Sequence, residues 1–127
     1  MTTMLHVLMD PGQVRLADIP AFCQAIRQGG ASVVQLRGKK STTRELIIYG
    51  QALRQATQAC ALRLVVNDRV DVALAVSADG VHVGQDDMPV DRVRRLAPHL
   101  WVGLSVSTAE ELEEARRTRP DYIGLGP

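Results

Sequence analysis

Aromatic residues make up only 3% of the 127-residue chain, with one Trp, two Tyr and one Phe. That leaves little stacking surface for single-stranded nucleic acid. Charge of one sign is also lacking: 15 basic and 14 acidic residues give a formal net charge of +1, so no broad electrostatic footprint marks the chain for nucleic acid or an anionic membrane. No apolar run approaches the roughly 20 residues of a membrane span. The opening Met-Thr-Thr-Met-Leu-His-Val-Leu-Met-Asp lacks a basic leader and reaches Asp10 early, which argues against a secretory signal and for a cytoplasmic protein. Two cysteines, Cys23 and Cys60, have no metal-ligand spacing and read as buried free thiols. Low-complexity segments and flexible linkers are absent too.

What remains is an alternation. Leu5 to Met9, Val33 to Arg37, Leu64 to Asn67, Val81 to Gly84, Trp101 to Val106 and Tyr122 to Gly126 read as strands bounded by polar or glycine residues. Between them, Asp18 to Gln28, Thr43 to Ala61, Arg69 to Val76, Val90 to Leu96 and Thr108 to Thr118 carry apolar residues at helical spacing, with Gly29-Gly30 as a stop and Ser107 or Thr108 as an N-cap. A βα unit run five times plus a sixth strand implies parallel strands joined by right-handed crossovers, in a single domain over residues 1–127.

Residue parity then selects the architecture. Val34 and Leu36 oppose Gln35 and Arg37; Val81 and Val83 oppose His82 and Gly84; Val102 and Leu104 oppose Gly103 and Ser105; Ile123 and Leu125 oppose Gly124 and Gly126. Side chains alternate faces along a strand. One aliphatic face, and one that turns polar or glycine toward the strand ends, is the pattern of a TIM (β/α)₈ barrel opening into an active site. An open doubly wound sheet would want aliphatic residues on both faces. Six strands and five helices make only part of such a barrel, which typically takes about 250 residues. The chain therefore reads as a truncated product or the ordered part of a longer one.

At the expected rim stand two carboxylates, Asp68 after the third strand and Asp87 after the fourth. Carboxylates completed by water and phosphate oxygens are the usual magnesium site. Arg37 and Lys39 face the same mouth and suit phosphate oxygens. The conjunction points to a magnesium-diphosphate site. Asp86 reads as the N-cap of the next helix, and Ser105 as a hydroxyl donor to phosphate, since no nucleophile elbow surrounds it. His82 divides evenly between a hydrogen-bonded interior histidine and a substrate contact or proton carrier. His6 and His99 carry no pattern.

In order, Gln35-Leu36-Arg37-Gly38-Lys39, Asn67-Asp68-Arg69, Ala78-Asp79-Gly80-Val81-His82-Val83-Gly84-Gln85-Asp86-Asp87, Gly103-Leu104-Ser105 and Gly124-Leu125-Gly126-Pro127 resemble the thiamine phosphate synthase family over the whole chain. The resemblance implies a barrel transferase that joins 4-amino-2-methyl-5-hydroxymethylpyrimidine diphosphate to 4-methyl-5-hydroxyethylthiazole phosphate and releases pyrophosphate. It implies that Gln35, Leu36, Arg37, Gly38, Lys39, Asn67 and Ser105 bind substrate, that Asp68 and Asp87 hold Mg2+, and that Arg37, Lys39 and Ser105 are catalytic; His82, from its place in the strand, is taken as a further substrate contact. Gly38 departs from the family's common glutamate. The family also continues past Gly-Leu-Gly-Pro into a Thr-rich loop and two further strands that hold the thiazole phosphate; without them, diphosphate affinity is expected to outlast turnover. Two rivals are a thiazole tautomerase of the same fold, disfavoured by the aspartate pair, and a non-catalytic fragment that self-associates as a homo-oligomer through open sheet edges.

Overall fold

A computed structural model describes residues 4–127. Six strands, β1 (His6–Met9), β2 (Val33–Leu36), β3 (Arg63–Asn67), β4 (Gly80–Val83), β5 (Trp101–Val106) and β6 (Tyr122–Leu125), alternate with α1 (Ile19–Gln28), α2 (Thr43–Cys60), α3 (Val70–Ala75), α4 (Val90–Leu96) and α5 (Ala109–Thr118). A short 3₁₀ turn, Leu16–Asp18, precedes α1. The strands lie in chain order and every neighbouring pair is parallel. Element boundaries fall within one or two residues of the sequence reading. The consequential difference is that β2 stops at Leu36, so Arg37 joins Gly38 and Lys39 in the β2–α2 loop.

Local chemistry explains the helix starts. Thr42 accepts the Glu45 amide at 3.1 Å and its hydroxyl donates to Glu45 Oε1 at 3.2 Å, an N-cap that satisfies one N-terminal amide of α2. Thr108 repeats the first bond with the Glu111 amide at 3.1 Å. Asp86, read as a cap, is not one: α4 starts from Pro89 with no side-chain cap, because the loop spends three more residues before turning into the helix.

The outward residues Val34, Leu36, Leu64, Val66, Val81, Val83, Val102 and Leu104 pack with Leu46, Leu53, Val72 and Val93 in one core between sheet and helices. Each such aliphatic side chain contributes about 1.5–3 kcal/mol on burial. Cys23 is buried in this layer, while Cys60 is only half-buried. Burial, with Cys60 nearby, pushes the Cys23 thiol up to about 11, so it packs as a neutral side chain. Among the described residues no helix is long and apolar enough to cross a membrane.

On the inner face a ring sits beside a glycine at each step. Trp101 pairs in register with Gly80, and Tyr122 with Gly103, which also neighbours His82. A Cβ on Gly80 would stand 2.5 Å from the Trp101 carbonyl oxygen, and one on Gly103 would stand 2.1 Å from Tyr122 Cζ. The missing side chains are what let the rings lie flat across the neighbouring strand. The sheet curls so far that the His6 ring of β1 lies 5.0 Å from the Tyr122 ring of β6 and 6.0 Å from Trp101. Six parallel strands thus form a half-barrel. Beyond β6 the outer face is uncovered, and Leu125 is 76% exposed.

Two carboxylates tie strands together at the opposite end from the rim. Asp79 Oδ2 accepts the Leu64 amide at 2.8 Å and pairs with Arg54 of α2 at 3.0 Å. Asp121 Oδ2 accepts the Val102 amide at 2.8 Å and pairs with Arg94 of α4 at 3.3 Å. Each aspartate stands immediately before an even-numbered strand and holds the odd-numbered strand beside it.

Candidate active site

Inward residues and the loops after β2, β3, β4 and β6 enclose a cavity of about 1140 Å³ that includes Gln35, Arg37, Lys39, Asn67, Asp68 and His82. Gly84, Gln85, Asp87, Ser105, Tyr122 and Gly124 complete most of its wall. Parallel strands deliver Arg37, Lys39, Asp68 and Asp87 to the C-terminal edge of the sheet, where a barrel enzyme carries its chemistry, while Tyr122, the first residue of β6, lies deeper.

Asp68 reaches the rim through an unusual backbone. Its φ of 67° lies in the left-handed region, which Asp tolerates better than most residues. The turn is fixed by its amide, which donates to the His82 carbonyl at 2.7 Å. Asp87 is fixed differently, accepting the Gly84 amide through Oδ2 at 2.8 Å. The two carboxyl groups come within hydrogen-bonding reach of each other. Burial first, and then Asp87, hold Asp68 above the usual carboxylate range, against the pull of Lys39 and Arg37. Lys39 Nζ stands 3.9 Å from Asp68 Oδ2.

These two carboxylates are the residues here that could hold a cation. Two carboxylates facing each other are relieved by a divalent ion, and magnesium needs only one or two protein carboxylates beside waters and phosphate. No group of three or more His, Cys, Asp or Glu suited to a metal occurs among the described residues, so a cage built wholly from protein, of the zinc or calcium kind, is not what these residues offer.

Deeper in the cavity, Tyr122, His82 and Ser105 form a chain. The Tyr122 hydroxyl lies 2.9 Å from His82 Nδ1, and Ser105 Oγ lies 2.8 Å from His82 Nε2. Gln85 Nε2 donates to the Ser105 carbonyl at 2.8 Å, closing the β4 loop over β5. Burial, reinforced by His6, keeps His82 below its ordinary value, with Asp87 opposing; burial likewise lowers His6 and pushes Tyr122 up to about 12. The ring is neutral and the phenol protonated at physiological pH.

Gln35, Arg37, Lys39, Asn67, Asp68, His82, Asp87 and Ser105 are brought to this one cavity. Two of the residues named from sequence are not. Leu36 is 1% exposed and belongs to the helix-side core, because it alternates with Gln35 and must face the other way. Gly38 lines a separate hollow of about 230 Å³ behind Lys39 and Asp68. A Cβ there would stand 2.7 Å from Ser41 Oγ and 2.9 Å from Leu46 Cδ2, so this loop is packed around a glycine, and a longer side chain would point away from the main cavity. Asp86 is an exposed rim residue. Sequence reasoning missed Tyr122, Gln85 and His6. Tyr122 shares parity with Gly124 and His6 with Leu8, so the inward direction was readable; the contacts among them depend on the curl of the sheet.

The family model for thiamine monophosphate synthase matches residues 5–127. A thiamine-phosphate synthase of Chloroflexus aurantiacus is 48% identical over 123 residues, covering 97% of this chain and 57% of that protein. One from Methanococcus maripaludis is 50% identical over 99 residues, covering 78% and 48% respectively. Among solved structures, the thiamine phosphate pyrophosphorylase of Pyrococcus furiosus superposes with a TM-score of 0.85 at 38% identity, over 98% of this chain and 60% of that one. The chain spans about half the length of the curated relatives it matches.

Proposed function

This chain belongs to the thiamine monophosphate synthase family, and from that premise we propose that it carries the pyrimidine-diphosphate half of a transferase site. The reaction joins hydroxymethylpyrimidine diphosphate to hydroxyethylthiazole phosphate and releases pyrophosphate. Within this reading the half-barrel is part of a (β/α)₈ barrel. The observation that carries it is the convergence of Arg37, Lys39, Asp68 and Asp87 on one rim, with both cations beside the carboxylate pair.

The chemistry asked of such a site is modest. The carbon–oxygen bond to the diphosphate breaks with both electrons leaving on oxygen, and the thiazole nitrogen lone pair forms the new carbon–nitrogen bond, so no protein nucleophile or net proton transfer is required. The leaving group gains charge as it departs. Arg37 would meet it with a planar pair of donors and Lys39 with a compact charge. Preorganised donors of this kind are each worth roughly 10²–10³ in rate. Asp68 and Asp87 would hold magnesium, which when bound supplies further positive charge to the diphosphate oxygens. Gln35 and Asn67, on the inner faces of β2 and β3, would orient the pyrimidine, and the neutral walls around His6 and Tyr122 would exclude water from the reacting carbon.

Isothermal titration with inorganic pyrophosphate, with and without magnesium, tests the site directly. Asp87→Asn keeps an acceptor for the Gly84 amide but removes the charge. We expect magnesium-dependent binding that falls at least tenfold in Asp87→Asn with an unchanged circular dichroism spectrum. Equal affinity in the two proteins would remove Asp87 from the site, and binding indifferent to magnesium would remove the ion. Pyrophosphate release that requires both substrates is the corresponding activity assay.

A further inference from the structure

We propose that Tyr122 is a positioning residue: its hydroxyl donates to His82 Nδ1, holds the ring in the Nε2–H tautomer, and so frees the Ser105 hydroxyl hydrogen to donate to an anionic oxygen in the cavity. The identity of that anion as diphosphate rests on the function proposed above; the tautomer does not.

The chain of contacts admits two proton orders. In one, Tyr122 donates to Nδ1 and Nε2–H donates to Ser105 Oγ. In the other, Ser105 donates to Nε2 and Nδ1–H donates to the phenol oxygen, which leaves the phenol hydrogen to find another acceptor. Among the described residues His82 is the one hydrogen-bond partner of the Tyr122 hydroxyl. Both residues line the cavity, but Tyr122 is half-buried with its ring packed against Trp101 and His6, so a phenol hydrogen without a protein acceptor carries the larger desolvation cost; the Ser105 hydroxyl is exposed, where water or a ligand can accept from it. The first order satisfies every group.

The phenol cannot swing to a different partner. Its ring lies across Gly103, where a Cβ would stand 2.1 Å from Cζ. Trp101 presses on it at a ring separation of 4.5 Å and His6 at 5.0 Å. Arg63 lies 4.8 Å over the Trp101 ring and backs the stack. With the phenol fixed, the tautomer is fixed, and Ser105 faces the cavity as donor on the β5 side while Arg37 and Lys39 approach from β2. No sequence motif announces Tyr122 in this role.

Long-range ¹H–¹⁵N correlation of the imidazole nitrogens, in histidine-labelled protein at about pH 8, where an ordinary histidine is neutral, reads the tautomer without any substrate. The expected result is a His82 ring protonated on Nε2 alone, becoming a mixture in Tyr122→Phe. Titration of inorganic pyrophosphate with magnesium reads the consequence: about a tenfold loss in Tyr122→Phe, a loss at least as large in Ser105→Ala, and little added when both are combined. A wild-type ring protonated on Nδ1, or a Tyr122→Phe ring unchanged from wild type, overturns the positioning role. Equal pyrophosphate affinity in wild type and Ser105→Ala overturns the donor role. A wild type that shows the Nε2–H ring yet binds no pyrophosphate supports the tautomer and refutes the diphosphate reading instead.

Discussion

Replacing Gly103 by alanine adds one methyl group at the most crowded point of the inner layer. The new Cβ would stand 2.1 Å from Tyr122 Cζ and 2.4 Å from both Cε1 and the hydroxyl oxygen, where ordinary contact begins at 3.4 Å. The ring must therefore retreat by roughly 1.3 Å, the difference between 3.4 and 2.1. Trp101 and His6 stand against such a retreat. Overpacking of this kind costs about 1–3 kcal/mol, and losing the phenol bond to His82 adds about 1 kcal/mol. We expect Gly103→Ala to destabilise by about 2–4 kcal/mol, measured as a lower urea midpoint at unchanged slope. Trp101, the single tryptophan, lies on the Tyr122 ring and reports the transition by its fluorescence. In a Tyr122→Ala background the obstruction is gone, and alanine in a strand is favoured over glycine by about 0.5–1 kcal/mol. The sign of the substitution should reverse. A Gly103→Ala cost within 0.5 kcal/mol of zero, or one of equal size in both backgrounds, would refute the packing argument.

Other outcomes follow from the same geometry. Arg37→Lys keeps the charge but loses the fork, and should weaken pyrophosphate binding about tenfold in calorimetry. Lys39→Met removes a cation that now lowers Asp68, so the Asp68 carboxyl should titrate at still higher pH in carbonyl-detected NMR. His6 and His82 both sit below 6.5, the ordinary histidine value, because burial disfavours the imidazolium. The unfolded chain therefore takes up protons first as pH falls. The contribution of these histidines to stability is full above about pH 6.5 and is lost as pH drops through their native values, at no more than about 1.4 kcal/mol per pH unit each. His82→Gln should flatten that acid limb in a series of urea midpoints.

The alternation of strands and helices was legible because each apolar period is local: Val34 and Leu36 must share a face whatever surrounds them. The carboxylate pair was legible for a related reason, since parallel strands put Asp68 and Asp87 at the same edge. What parity could not reveal was distance across the curl. His6 and Tyr122 are more than a hundred positions apart, and only the curvature of the sheet brings their rings together. Asp86 misled because a carboxylate after a strand looks alike whether it caps a helix or merely lines a loop. Leu36 was drawn into the site by its neighbours Gln35 and Arg37 in a motif, although its own direction was already determined by theirs.

The paired aspartates at the far end of the sheet bear on how this molecule comes apart. At that end Asp79 couples β4 to β3 and Asp121 couples β6 to β5, while among the described residues no carboxylate fastens β4 to β5 there; that seam is held at the rim instead, where His82 and Gln85 reach Ser105. Thermal opening should accordingly detach strands two at a time, with amide deuterium uptake in β5 and β6 advancing together and β3 and β4 following as a second block. The rim that gathers Asp68 and Asp87 spans a single block, so the edge carrying this carboxylate pair would stay assembled while the last two strands fluctuate.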